Sequence, residues 1–142
     1  MRINFFALLI ALFTTNFILA QSIQNYKIDW LGTKSEKISA TEQLYFLNFE
    51  GAQYNSELLP VFTSIVDIPS RASSVSVAIQ DAQFEVLSEN DLLTLKNIEK
   101  IPNQIELTSS VEYEKKQAKA VISLLPLRRN LKSGKIEKLT TF

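Results

Sequence analysis

Between positions 104 and 113 the chain alternates. Ile105, Leu107, Val111 and Tyr113 fall on one parity, and Gln104, Glu106, Thr108, Ser110 and Glu112 fall on the other. That two-residue period marks a strand with one face in a core. A polar turn at Glu114 to Gln117 follows, and then a run apolar on both parities. Ala118, Ala120, Ile122 and Leu124 stand on one side and Val121 and Leu125 on the other, as for a strand covered on both faces. A basic loop leads to a last pattern from Lys135 to Phe142. Together these predict a three-stranded meander over 104–142.

The earlier chain reads as shorter strands. Tyr26, Ile28 and Trp30 share a face in a first strand at 25–30. Residues 32–37 are polar and turn-like. An aromatic-rich strand spans 43–49 and is broken at Glu50-Gly51. Pro60 and Pro69 bracket another strand, because proline cannot donate to a ladder. Val75, Val77 and Ile79 point inward. The apolar parity then switches to Ala82, Phe84 and Val86, which an extra residue near Gln80-Asp81 would produce as a β-bulge. Two short strands joined by a tight turn would produce it equally. One helix is predicted at about 88–96. Ser88 is its cap, Glu89 and Asp91 suit the positive end of its dipole, and Leu92, Leu93 and Leu95 form its apolar side. These elements predict a mainly β chain: an antiparallel β-sandwich-like domain with one short helix.

Composition narrows the chemistry. The 142 residues are 46% hydrophobic with no net charge, enough apolar material for one folded domain. A nucleic-acid partner is not expected, because phosphate binding needs a basic excess. The chain has no Cys and no His. Thiol and imidazole catalysis, disulfides and the usual zinc sets are therefore outside its reach, and it is not expected to be an enzyme as it stands. No cofactor is called for.

The first 20 residues have one positive charge at Arg2, an apolar run and a small residue, Ala20. This is the order of a signal-peptide helix cut before Gln21. The mature domain would be 21–142, exported by the Sec route. Because the last pattern runs straight to the aromatic Phe142, the domain is expected to be truncated at 142 and to be the front piece of a longer protein. The plainer reading is a last strand tucked into the sheet.

Few constellations carry chemistry. Arg128, Arg129, Lys132, Lys135 and Lys138 flank the turn pair Ser133-Gly134. They form a candidate docking patch for an anionic partner, or else a solvated hairpin whose charges blunt an edge. Arg71 sits in a polar loop, either solvated or offered to a protease pocket. Tyr26, Trp30, Tyr45, Phe46 and Phe49 read as core at strand spacing, with a carbohydrate platform as the alternative. The acids Asp29, Glu50, Asp67, Asp81 and Asp91 lack calcium-loop spacing.

The run Val121-Ile-Ser-Leu-Leu-Pro126-Leu-Arg128, the turn at Gly134, and Lys138-Leu139-Thr-Thr-Phe142 resemble the amino-terminal region of the PorU family, the gingipain-like sortases of the type IX secretion system in Bacteroidetes. Glu57-Leu-Leu-Pro60, the stretch from Val75 to Leu87, and the turn from Ser109 to Lys116 resemble that region in the same order, so the resemblance spans about 44–142. It implies a cysteine-protease-type parent at the outer-membrane surface, which removes sorting domains from exported cargo and joins the cargo to anionic lipopolysaccharide. The parent's catalytic Cys and His would lie downstream of this region. The implied role is a non-catalytic β domain that packs on the downstream catalytic region, passing through the periplasm to the cell surface. The barrel protein PorV and lipopolysaccharide would be neighbours. A free-standing exported module that binds protein or glycan is the other class the residues allow.

Overall fold

The computed structural model describes residues 22–142. The leader assigned to residues 1–20 lies outside the described residues. In chain order the elements are β1 (Trp30–Lys37), β2 (Gln43–Phe49), β3 (Gln53–Tyr54), β4 (Pro60–Asp67), β5 (Gln83–Val86), α1 (Glu89–Thr94), a 3-10 turn (Ile98–Lys100), β6 (Leu107–Glu114), β7 (Gln117–Leu124), β8 (Leu127–Arg129) and β9 (Ile136–Thr141). Every ladder is antiparallel. The strands form a four-stranded sheet ordered β3-β4-β7-β6, a three-stranded sheet ordered β5-β9-β8, and a β1-β2 ribbon.

Cross-strand register decides what each face carries. Phe62 opposes Leu124, and Leu107 opposes Leu124 from the other side. These three therefore share one face of the larger sheet. That face meets Phe84 and Leu139 of the smaller sheet, with Ile28 and Phe49 in the same cluster. The result is a sandwich-like pairing of two sheets. A second cluster joins Leu47, Leu59, Leu87, Ile101, Leu127 and Ile136, with Leu92 of α1 and its C-cap Leu95 packed on it. Trp30 touches both clusters, and its indole Nε1 donates to the Leu139 carbonyl at 2.8 Å. Each fully buried leucine contributes roughly 1.5–3 kcal/mol.

Ser88 caps α1 as its sequence predicts. Its hydroxyl accepts from the Asp91 amide at 3.1 Å and donates to Asp91 Oδ2 at 2.7 Å. Leu93, however, is 86% exposed. The helical advance per residue carries it off the face that Leu92 and Leu95 present.

Four expectations need correction. The stretch 104–142 is not a meander. β6 and β7 form a hairpin in the larger sheet, but β9 pairs with β5 and β8 in the other. The switch occurs at Pro126, which has no N–H to extend a ladder. Its carbonyl instead accepts the Leu139 amide at 2.9 Å. Second, β9 has partners on both sides, and the Phe142 amide donates to the Tyr26 carbonyl at 3.1 Å. The last strand is thus tucked into the sheet, the plainer of the two readings of this end.

Third, residues 25–29 form no named strand. They meet the end of the chain through the Lys27–Thr141 bridge and the hydrogen bonds of Tyr26 and Ile28, with Tyr26, Ile28 and Trp30 facing inward as expected. The polar stretch 32–37 lies within strand β1. β1 has no apolar alternation because most of its residues face water. Its pairing with β2, register-shifted beside Gly32 at φ +74°, holds it. Fourth, residues 74–79 form no ladder. Val75, Val77 and Ile79 are half-buried and their neighbours exposed, so the expected facing is present without the expected sheet. The parity switch falls at Asp81, whose φ of +50° turns the chain, and a register shift follows between Gln83 and Phe84.

Candidate docking surfaces

The basic hairpin is built around one acid. Register places Arg128 opposite Glu137. The guanidinium donates through Nε and Nη2 to Glu137 Oε2, at 2.9 and 2.7 Å. The amide of Asn130 donates to Oε1 at 2.7 Å. The Asn130 side-chain oxygen accepts from the backbone amides of Lys132 and Ser133, at 2.9 and 3.3 Å, and so shapes the tip. The other face of the guanidinium lies on Phe84, 3.4 Å from the ring centroid. Burial alone would raise the Glu137 carboxyl. The hydrogen bonds from Arg128 and Asn130 and the guanidinium charge outweigh it, and the group sits below its ordinary value.

Three of the five candidate patch residues are therefore engaged within the fold. Arg128 is held by Glu137 and Phe84. Arg129 turns inward, its Nη2 donating to the Ile98 carbonyl at 3.0 Å. Lys138 lies 3.5 Å from Glu85 and over the Trp30 ring. Lys132 and Lys135 are exposed and make no ion pair among the described residues. A signal for this was present: Glu137 is the sole acid between 128 and 138, and hairpin register sets it against a base.

The aromatic candidates are mostly core. Phe46 and Phe49 are buried, and Trp30 meets Phe49 edge-on at 5.1 Å. Tyr26 stacks on Phe142 at 5.2 Å. Tyr45 is partly exposed, and no shared platform with the others forms. Arg71 is exposed on a turn closed by the Ala72 amide donating to the Pro69 carbonyl at 2.8 Å. Among the described residues no three carboxylates gather into a cation site.

The feature that sequence reading missed is a groove of about 790 Å³ over the larger sheet. Val66, Ala120 and Ile122 form its floor, and residues 74–80 form one wall. That strap is tethered by side chains. Tyr113 OH donates to the Ala72 carbonyl at 2.6 Å, and Ser109 Oγ donates to the Val75 carbonyl at 3.4 Å. The alternation of 74–79 was legible, but the lack of a ladder was not, because apolar alternation reports burial and not hydrogen bonding.

Neither a scan against protein-family models nor a search of curated proteins returns a match. Among solved structures, the chain is similar to a chain in the complex of Porphyromonas gingivalis RgpB pro- and mature domains. The TM-score is 0.53 and the identity 14%, covering 82% of this chain and 73% of that one. The likeness is one of fold.

Proposed function

We propose that this chain is a non-catalytic β domain that packs on a larger exported enzyme of gingipain type. More finely, it is the amino-terminal region of a type IX secretion sortase of the PorU family. The observation that carries the reading is the fold likeness to a chain from a complex of pro- and mature gingipain domains. The motif resemblance over 44–142 supports the sortase assignment, and the absence of Cys and His supports a packing role. In this reading the domain travels through the periplasm to the outer-membrane surface. Its partners are the downstream catalytic region, the barrel protein PorV and anionic lipopolysaccharide. The exposed Lys132 and Lys135 are what the basic hairpin offers to the last of these.

The test is association with a catalytic region. The purified chain is mixed with the Cys- and His-containing gingipain-type region encoded in the same genome, and stoichiometry is followed by sedimentation. A one-to-one complex is expected, with the reading frame after Phe142 continuing into that region. Independent sedimentation of the two, together with a frame that lacks a Cys–His region, would sink the proposal.

A further inference from the structure

The groove over the larger sheet combines three properties seldom found together. Its floor is apolar, formed by Val66, Ala120 and Ile122. None of its lining residues is Asp, Glu, Lys or Arg, although 21% of the chain is charged. Its strap wall, residues 74–80, alternates exposed and half-buried positions as extended chain does, has no positive φ, and makes no backbone–backbone hydrogen bond among the described residues. The two tethers from Ser109 and Tyr113 reach only the carbonyls of Val75 and Ala72.

Backbone N–H and C=O groups require partners, and an open extended segment offers them at strand spacing. A lipid or a compact small molecule cannot satisfy such a repeating row, but another extended backbone can. The floor then selects side chains. A charged group entering an uncharged groove loses hydration without gaining a partner, whereas apolar groups at every second position reach the floor.

We propose that this groove binds an extended, uncharged segment of a partner polypeptide, which adds as a strand along 74–79 and seats alternate apolar side chains on the floor. Recognition of this kind draws affinity from main-chain hydrogen bonds and selectivity from the floor. Six strand residues span about 20 Å, so the segment recognised is about that long. The proposal does not depend on the chain packing against a catalytic region, and its test contains no such region.

The probe is an acetylated, amidated eight-residue peptide alternating Val and Thr, titrated into the isotope-labelled chain. Two control peptides accompany it, one N-methylated at alternate amides and one with Lys in place of Val. Saturable shifts are expected in the amides of 74–79 and of Ala120 and Ile122, with binding at least tenfold weaker for either control. Val77→Lys places a charge in the groove at a half-buried position outside every ladder, and it is expected to weaken binding at least tenfold while the chain remains folded with a modestly lower melting temperature. Should that variant misfold, the N-methylated peptide on the unaltered chain still decides the matter. Absence of saturable shifts, equal binding of the N-methylated peptide, or shifts that map away from the groove would overturn the proposal. So would a dimer contact between two copies of the chain occupying the same amides.

Discussion

Glu137 is a carboxylate enclosed by groups that keep it charged. Its side chain is 12% exposed, and Arg128 and Asn130 satisfy both oxygens. Because its folded value lies below the ordinary one, the unfolded chain binds this proton more readily. The stability it contributes is complete above the unfolded carboxylate value near 4.3. It is lost as pH falls through the lower folded value. Urea midpoints at pH 7 and pH 3 are expected to differ less in Glu137→Gln than in the unaltered chain. At pH 7 the variant is expected to cost about 2 kcal/mol, because it leaves the half-buried guanidinium without its anion. Equal pH dependence in both proteins would show that Arg128 does not hold this group. The same residues explain why a basic patch was the natural reading of the sequence. A string of bases has no direction until pairing register and its neighbours engage some members, here Arg128, Arg129 and Lys138.

At the scale of elements, the β6-β7 turn is poorly matched to its conformation. Glu114 opposes Gln117, leaving Lys115 and Lys116 as a two-residue loop with φ of +49° and +72°. Both central residues are left-handed, the arrangement that favours Asn-Gly. Replacing the pair by Lys115→Asn and Lys116→Gly is expected to stabilise the protein by about 1 kcal/mol, read as a melting temperature higher by a few degrees. A lower melting temperature would mean that the lysines contribute contacts elsewhere. Legibility follows the same division. The α1 cap, the proline-bounded β4 and the β6-β7 hairpin were readable because their signals are local: Ser88, Pro60, and alternation meeting a polar turn. β2 was readable from its aromatic run, but β1 was not, since Thr33, Ser35 and Lys37 face water and only pairing with β2 makes them a strand. The crossing of β9 into the second sheet was hidden for a related reason. Pro126 announces an ending, but which sheet receives the next strand depends on Leu139 and Phe84 meeting as cross-strand partners.

For the whole molecule, the question is whether two hydrophobic clusters melt together. One holds the ribbon, α1 and β8, and the other joins the two sheets. Trp30 packs on both, donates its indole N–H to β9 through the Leu139 carbonyl, and meets Phe49 of the second cluster. Both clusters also draw on β9, through Ile136 in one and Leu139 in the other. A strand shared in this way cannot leave one cluster without opening the other, so a single cooperative transition is expected. Trp30 is the sole tryptophan, and its fluorescence therefore reports on the junction itself. Urea curves from tryptophan fluorescence and from far-ultraviolet dichroism should coincide. Trp30→Phe keeps an aromatic ring but removes the N–H and part of the volume, leaving the Leu139 carbonyl without its donor. It is expected to cost about 2–3 kcal/mol while dichroism still shows one transition. Two separated dichroism transitions in Trp30→Phe, with coincident curves in the unaltered chain, would mean that this one side chain couples the clusters. Separated curves in the unaltered chain would mean that the clusters unfold independently and that β9 is not the shared element its contacts describe.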